Sequence, residues 1–186
     1  MATRDMLDFL APEYNRFNNQ PDSDYLLKAT RKIVVAPKWW KKYGKKLKKI
    51  NFNWKEIRYT NLDKYLSSNP SAASKTGIYL FTIKPNIDIN GLPGYVFYVG
   101  IAGERGSGRF LRDRLRQYIQ VSSVKKRDKV KPMLAYYHRH VYIYYSELDD
   151  NGQLEELEKY LHGFYMPWAN DRDFPTHIKH AINAWN

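Results

Sequence analysis

Two hydrophobic periodicities alternate along the second half of the chain. Runs of β-branched and aromatic residues at 76–83, 94–100 and 140–148 are typical of strands. Residues 109–120 and 153–165 instead repeat apolar positions every three or four residues, which predicts amphipathic helices. The order strand, strand, helix, strand, helix predicts an α/β fold, in which a small, mainly antiparallel three-stranded sheet is flanked by helices.

In the first 70 residues the hydrophobic and polar positions follow a less regular pattern. Residues 24–35 are compatible with a helix, and residues 37–50 place apolar side chains at helical spacing with lysines between them. A short predicted helix at 61–69 leads into a stretch rich in Pro, Ser and Ala. We therefore predict a basic, mainly helical N-terminal extension at 1–70 and a second domain at 71–186.

An acidic residue stands on the apolar stripe of the second predicted helix. The stripe consists of Leu154, Leu157 and Leu161. Glu158 lies one turn after the first of these leucines, so its carboxylate is expected to face the protein, where a charge needs a partner. The alternative is an exposed position at the edge of the stripe, with Glu155 and Lys159 forming an ordinary i,i+4 pair.

Charge and composition narrow the choice of partners. The chain has 186 residues, no cysteine and a formal net charge of +12, from 31 Lys+Arg against 19 Asp+Glu. This charge predicts attraction to polyanions, nucleic acid first and an anionic membrane surface second. No apolar run approaches the roughly 20 residues that span a bilayer, and the N-terminus does not resemble a signal peptide. We therefore expect a cytoplasmic protein with no membrane partner and no thiolate metal site.

Two tripeptides on neighbouring predicted strands point to a particular chemistry. The chain reads GIY at 77–79 and YVG at 98–100. This pair resembles the signature of the GIY-YIG nuclease family. An arginine at Arg114 and a tyrosine at Tyr118 in the next helix match the family's order of residues, as do Glu158 in the second helix and Asn170 after it. The resemblance covers about residues 75–170.

The resemblance implies phosphodiester hydrolysis with a single divalent metal. Glu158 would hold the ion, which would be Mg²⁺ or Mn²⁺, since one carboxylate is a sparse ligand set and Mg²⁺ keeps several waters. Arg114 would bind a non-bridging phosphate oxygen. Tyr79 would act as general base toward water, provided that its pKa is lowered by Arg114, the metal or a proton relay.

Three further roles follow from the same resemblance. Tyr98 would hydrogen-bond the phosphate, and Tyr118 would relay a proton or orient a phosphate oxygen. Asn170 would hold the site through hydrogen bonds. For the tyrosines the alternative is ordinary core packing, because the chain contains 16 of them.

Two spacings are longer than is usual in the family. Residues 80–97 separate the two tripeptides, and Arg114 stands sixteen residues after Tyr98. We expect loop insertions here that extend toward the substrate, which makes Arg105 and Arg109 candidates for nucleic-acid contact. Arg112 is a second choice for the catalytic arginine. The full set of predicted nucleic-acid contacts is Lys41, Lys42, Lys45, Arg105, Arg109, Arg112, Lys125, Lys126 and Arg127.

The resulting prediction is a compact, restriction-type endonuclease that acts on double-stranded DNA. A single such site cuts one strand, so double-strand cleavage calls for a homodimer or for sequential nicking. The main alternative is a nucleic-acid-binding protein that keeps the fold without catalysis. A membrane-surface role for residues 37–50 is a third option. The histidines at 138, 140, 177 and 180 are expected to be hydrogen-bonded or solvated rather than metal ligands.

Overall fold

A four-stranded antiparallel sheet forms the centre of the protein. The structure is a computed structural model that describes residues 2–18, 36–85, 94–103, 108–149 and 152–183. The predicted helix at 24–35 and Arg105 lie outside these residues.

The sheet has one strand more than the sequence analysis predicted. Its strands are β1 (Lys55–Arg58), β2 (Gly77–Ile83), β3 (Tyr95–Ala102) and β4 (Val141–Glu147), in the order β1-β4-β2-β3. The additional strand, β1, pairs with β4 and comes from the predicted N-terminal extension. It was missed because only Ile57 of its four residues is buried, so the alternation is too short to be read.

Helices pack on both faces of the sheet. In the described residues the α-helices are α1 (Ala2–Asn18), α2 (Pro37–Leu47), α3 (Leu62–Ser68), α4 (Leu111–Arg116), α5 (Val121–Val124), α6 (Val130–Tyr137), α7 (Leu154–Tyr165) and α8 (Thr176–Asn183). Short 3₁₀ turns follow β1, α4, α6 and α7. No helix among the described residues is long and apolar enough to cross a bilayer.

The two faces of the sheet bury different kinds of side chain. On one face, aliphatic residues of β2 and β3 pack against the leucines of α7. On the other, aromatic residues of the same strands form the larger core together with residues of α1, α3, α4 and α6. Side chains of a strand point to alternate faces, so successive residues of β2 serve different cores. In β3 the alternation is interrupted at Phe97 and Tyr98, which both pack in the aromatic core where the pairing with β2 shifts register.

The lysine-rich helix α2 lies outside α7, away from the sheet. Its buried residue Tyr43 hydrogen-bonds His177 of α8 at 2.8 Å, and Lys46 donates to Tyr160 of α7 at 2.7 Å. The helical spacing noted at 37–50 thus corresponds to α2, which packs on the helix that carries Glu158.

Candidate functional site

A cavity of about 410 Å³ lies beside β3, the end strand of the sheet. Its lining residues are Tyr79, Tyr98, Gly100, Ile101, Arg114, Glu155, Glu158 and Lys159. Four of the predicted catalytic residues therefore share one cavity, although they stand on β2, β3, α4 and α7. Folding brings them together from positions far apart in the chain.

The glycine of YVG makes room for the tyrosine of GIY. Tyr79 and Gly100 are directly paired across β2 and β3. A Cβ atom at Gly100 would lie 2.4 Å from both Cζ and Oη of Tyr79, a distance at which the tyrosine would have to move. Glycine is needed here because another part of the protein approaches the backbone closely.

The glycine of GIY is constrained in the same way. A Cβ atom at Gly77 would lie 2.2 Å from the carbonyl oxygen of Ser146 on β4 and 2.8 Å from Cδ1 of Leu111 on α4. Gly77 thus allows the sheet and α4 to pack closely. Both motif glycines have a structural reason that is independent of any catalytic role.

Tyr118 supports the cavity from behind. It lies in the 3₁₀ turn after α4, and its Oη is 2.9 Å from Oη of Tyr79. Both tyrosines are fully buried, with exposed fractions of 0% and 1%. The Tyr98 ring lies 6.1 Å from each of the other two rings, centroid to centroid, so the three phenols form one cluster.

The structure does not support the expectation that the pKa of Tyr79 is lowered. Burial raises the pKa of Tyr79 well above its ordinary value, and the neighbouring Tyr118 and Tyr98 raise it further. The Arg114 charge acts in the opposite direction but is the weakest of the causes. Burial likewise raises the pKa of Tyr118. Both phenols are therefore neutral at ordinary pH, and Tyr79 is not present as a phenolate that could act as a base.

Arg114 reaches the cavity from α4. Its Nε donates to the carbonyl oxygen of Ile101 at 3.4 Å, which ties the side chain to β3. A guanidinium keeps its charge and presents several donors in one plane, so it suits a phosphate oxygen better than an ammonium group does.

Two carboxylates of α7 line the cavity. Glu158 was predicted. Glu155, which the sequence analysis considered only in an i,i+4 pair with Lys159, lines the same cavity. Residues three apart on a helix share a face, and this spacing is the feature that could have identified Glu155. Lys159 of the same helix also lines the cavity.

The donor set is compatible with Mg²⁺ or Mn²⁺. No group of three or more His, Cys, Asp or Glu side chains is close enough to hold a metal within the part of the chain that the structure describes. A hard cation that keeps most of its waters needs only one or two carboxylates, and Glu158 with Glu155 can supply them. A zinc site would need more protein ligands.

Asn170 holds the free edge of β3. Its Oδ1 accepts from the N–H of Val99 at 2.7 Å, and its Nδ2 donates to the carbonyl oxygen of Val99 at 3.0 Å. The amide thus makes the two hydrogen bonds that a neighbouring strand would make. Because Val99 stands between Tyr98 and Gly100, this pairing stabilises the strand at the cavity.

Two of the predicted nucleic-acid contacts, Arg112 and Arg127, make hydrogen bonds within the protein. The Arg112 guanidinium donates to the carbonyl oxygens of Leu66, Asn69 and Ala72, so it caps the C-terminal end of α3. Arg127 donates to Tyr118 and Gln117. The sequence could not reveal either contact, because the partners are 46 to 9 residues away and belong to other elements. The remaining described members are exposed: Lys41, Lys42, Lys45, Arg109, Lys125 and Lys126.

The predicted non-ligand histidines lie apart from the cavity. His138 is buried, and His177 bonds Tyr43.

Comparison with known proteins found no match: no family model fits the chain, and no curated protein and no solved structure matches it. The likeness to the GIY-YIG nucleases therefore stays a prediction from the motifs.

Proposed function

We propose that this protein is a divalent-metal-dependent endonuclease of GIY-YIG type that hydrolyses phosphodiester bonds in DNA. The observation that carries the proposal is the convergence of Tyr79, Tyr98, Arg114 and Glu158 on one cavity. A carboxylate, an arginine and two phenols in one cavity provide a metal ligand, an anion-binding group and hydrogen-bond donors, which hydrolysis of a phosphodiester requires.

In the proposed reaction, water adds to phosphorus and the 3′ oxygen leaves with a proton. Arg114 binds a non-bridging oxygen and offsets the negative charge that develops in the transition state. Glu158, with Glu155 beside it, would hold Mg²⁺ or Mn²⁺. When bound, this ion supplies further stabilisation of negative charge on the phosphate and on the leaving oxygen.

The tyrosines act in this proposal as neutral groups. Tyr98 is half-buried in the cavity wall and donates a hydrogen bond to the phosphate. Tyr79 orients the attacking water rather than removing its proton as a phenolate, because burial raises its pKa. Asn170 contributes only by holding β3.

The DNA would contact both the cavity and the basic helix α2. Because α2 packs on α7, its exposed Lys41, Lys42 and Lys45 belong to the same body as Glu158. Lysines in such a position contribute affinity and salt dependence without sequence choice. A restriction-type enzyme would act on double-stranded DNA, as a dimer or by sequential nicking.

Cleavage of plasmid DNA in the presence of Mg²⁺ tests the proposal. We expect wild-type protein to nick or linearise the plasmid, and Glu158→Gln to reduce the rate at least about 1,000-fold, since several kcal/mol of charge stabilisation is lost. Glu156→Gln is the matched control. It removes the same charge from the same helix, but Glu156 contacts Lys46 and Tyr160 on the side of α2 and leaves the cavity intact.

Two outcomes would contradict the proposal. Equal cleavage by wild type and Glu158→Gln would exclude Glu158 as the essential metal ligand. Binding without cleavage of plasmid, duplex oligonucleotides and RNA, in Mg²⁺ and in Mn²⁺, would favour the non-catalytic nucleic-acid-binding protein.

A further inference from the structure

The most exposed large apolar side chain among the described residues is Phe110, directly before α4. Its exposed fraction is 46%, against 42% for Trp40 and 40% for Tyr165, the other two large apolar side chains that the described part of the chain exposes. Trp40 and Tyr165 each carry a polar group that water can satisfy, whereas the phenyl ring of Phe110 carries none. Single exposed apolar side chains are common, so the position of Phe110 must decide whether it has a role.

Backbone hydrogen bonds on its C-terminal side hold Phe110 close to the cavity. The N–H of Arg114 donates to the carbonyl oxygen of Phe110 at 3.2 Å, so Phe110 stands one helical turn before an arginine that lines the cavity. The N–H of Leu111 donates to the carbonyl oxygen of Lys75 at 2.9 Å, which ties this turn to the chain that enters β2. One helical turn rises about 5.4 Å, and successive phosphates of a strand lie about 3.4 Å apart along a duplex. Phe110 is therefore within reach of a base one or two steps from a phosphate bound by Arg114.

The charge around Phe110 favours a nucleic acid as its partner. Residues 109–116 contain four arginines and one aspartate. Arg109, directly before Phe110, is exposed, and Arg114 lines the cavity. An apolar ring between cations is a combination with which proteins bind DNA: the cations attract the phosphates, while the ring stacks on a base or wedges between two. An uncharged partner would instead have to desolvate these arginines without pairing them.

We propose that Phe110 is a base-contacting residue: its ring wedges between two base pairs beside the phosphate that Arg114 binds, and stacks on one of the bases. The inference rests on the proposed nuclease function for the position of the DNA. It adds a residue whose contact depends on how easily the bases separate. Unstacking costs least at a mismatch or at a flexible pyrimidine–purine step. The protein therefore prefers DNA whose bases separate readily beside the cut.

Photochemical cross-linking tests the contact without cleavage. A duplex in which 5-iodouracil replaces every thymine forms a covalent bond, on irradiation, with an aromatic ring that stacks on the base, and its use requires no knowledge of the recognition sequence. In wild-type protein, in EDTA or with Ca²⁺ in place of Mg²⁺, we expect mass spectrometry to locate a cross-link at Phe110. Cross-links confined to other aromatic residues, such as Trp40, would overturn the proposal.

Binding affinity separates stacking from charge. Phe110→Leu keeps an apolar side chain but removes the ring, so Kd for a labelled duplex with one mismatch should rise roughly 5- to 100-fold, with its salt dependence unchanged. Phe110→Trp should restore most of the affinity. Arg109→Gln is the contrasting variant and should decrease the salt dependence by about one unit of slope. Tyr165→Leu, at a similarly exposed position at the end of α7, is the control and should leave Kd unchanged.

A comparison of two duplexes tests the wedge itself. In fluorescence anisotropy, wild type should bind the mismatched duplex more tightly than the fully paired one, and Phe110→Leu should bind both alike. Because Phe110 is exposed, the unfolding transition of Phe110→Leu should match that of wild type. An unchanged Kd in Phe110→Leu, or a preference for the mismatch that survives the substitution, would overturn the proposal.

These measurements keep the base contact distinguishable from the nuclease proposal. A wild type that cross-links at Phe110 but cleaves no DNA would refute the nuclease and retain the base contact. Cleavage without a cross-link at Phe110 would refute only the base contact, and a protein that binds no nucleic acid would overturn both. Co-sedimentation with vesicles of phosphatidylcholine and phosphatidylserine that is lost in Phe110→Leu, with no cross-link to DNA, would assign the ring to a membrane surface and overturn the proposal.

Discussion

The two faces of β2 and β3 have different compositions, although the same strands build both. Toward α7 the strands present Ile78, Leu80, Val99 and Ile101, which form a core with the helix leucines. The buried members of this core are all aliphatic, and aromatic residues such as Trp54 and Tyr144 pack around them. Toward α4 they present Tyr79, whose hydroxyl bonds that of the buried Tyr118, and Tyr98, whose ring packs beside both. The buried side chains of the first face carry no hydroxyl group, whereas those of the second carry hydroxyls that need partners.

Because of this difference, the two faces contribute to the cavity in different ways. The aliphatic face binds α7 to the sheet through non-directional packing, and that helix carries Glu155 and Glu158 to the edge at β3. The aromatic face places hydroxyls by directional hydrogen bonds. We therefore expect substitutions on the aliphatic face to lower stability first, and substitutions on the aromatic face to lower activity first.

Truncation in the aliphatic core should have the largest effect on stability. Leu161 has an exposed fraction of 2% and packs in the core between α7 and the sheet. Leu161→Ala should lower the free energy of unfolding by about 3 kcal/mol, through lost burial and the cavity left behind. Urea denaturation measures this loss. Tyr79→Phe removes only a hydroxyl, so it should lower the free energy of unfolding by about 1 kcal/mol and reduce cleavage more strongly than Leu161→Ala does. A larger loss of cleavage in Leu161→Ala than in Tyr79→Phe would contradict the different roles of the two faces.

Acid should weaken the attachment of α7 through His162. Burial lowers the pKa of His162 to about 4 from 6.5, and its Nε2 has no hydrogen-bond partner among the described residues. Between these values the unfolded chain takes up a proton that the folded protein does not, so stability falls as the pH decreases from about 6.5 to about 4. The loss amounts to roughly 3 kcal/mol.

Replacement of His162 by leucine isolates this contribution. Urea denaturation of wild type and His162→Leu at pH 7 and at pH 4.5 should show a smaller decrease of the unfolding free energy for the variant. Equal decreases in the two proteins would indicate that His162 is protonated in the folded state. Other groups titrate in both proteins alike, so only the difference between them is informative.

A methyl group at Gly100 should displace the Tyr79 ring on the aromatic face. Gly100→Ala puts a carbon 2.4 Å from Oη of Tyr79, and the displaced ring should cost about 2 kcal/mol of stability together with most of the cleavage activity. Thermal unfolding and plasmid cleavage measure the two losses. Adding Tyr79→Leu to Gly100→Ala should restore stability but not activity. Recovery of activity in the double variant would contradict a role for the Tyr79 hydroxyl.

The smallest effect is expected outside α7, on the basic helix α2. Replacing Lys41, Lys42 and Lys45 by glutamine should decrease the salt dependence of DNA binding by about one unit of slope for each lysine, with little change in kcat. Fluorescence anisotropy with a labelled duplex at several salt concentrations measures this slope. Lys64→Gln on α3 is the control and should leave the slope unchanged. Equal slopes for wild type and the triple variant would exclude α2 from the interface.

The local pattern of hydrophobic residues was sufficient to predict most of the central strands and helices. It failed for elements whose ends or whose existence depend on tertiary contacts. The strands expected at 76–83, 94–100 and 140–148 correspond to β2, β3 and β4, and α2 and α7 also lie where helices were predicted. The helix expected at 109–120 is shorter, since α4 ends at Arg116 in a 3₁₀ turn. The helix α6 was not predicted, because Pro132 obscures its pattern, although proline is tolerated in a first turn.

The sequence by itself determined the alternation that separates the two faces of β2 and β3, the leucine stripe of α7 and the order of the motif residues. These features depend on residue types at fixed local spacing, and such spacing is set by the geometry of strands and helices. Only the tertiary structure decided that β1 joins the sheet, that Glu155 lines the cavity with Glu158, and that Arg112 and Arg127 bond inside the protein. It also decided that the pKa of Tyr79 is raised, because burial and hydrogen-bond partners depend on residues that are distant in the chain.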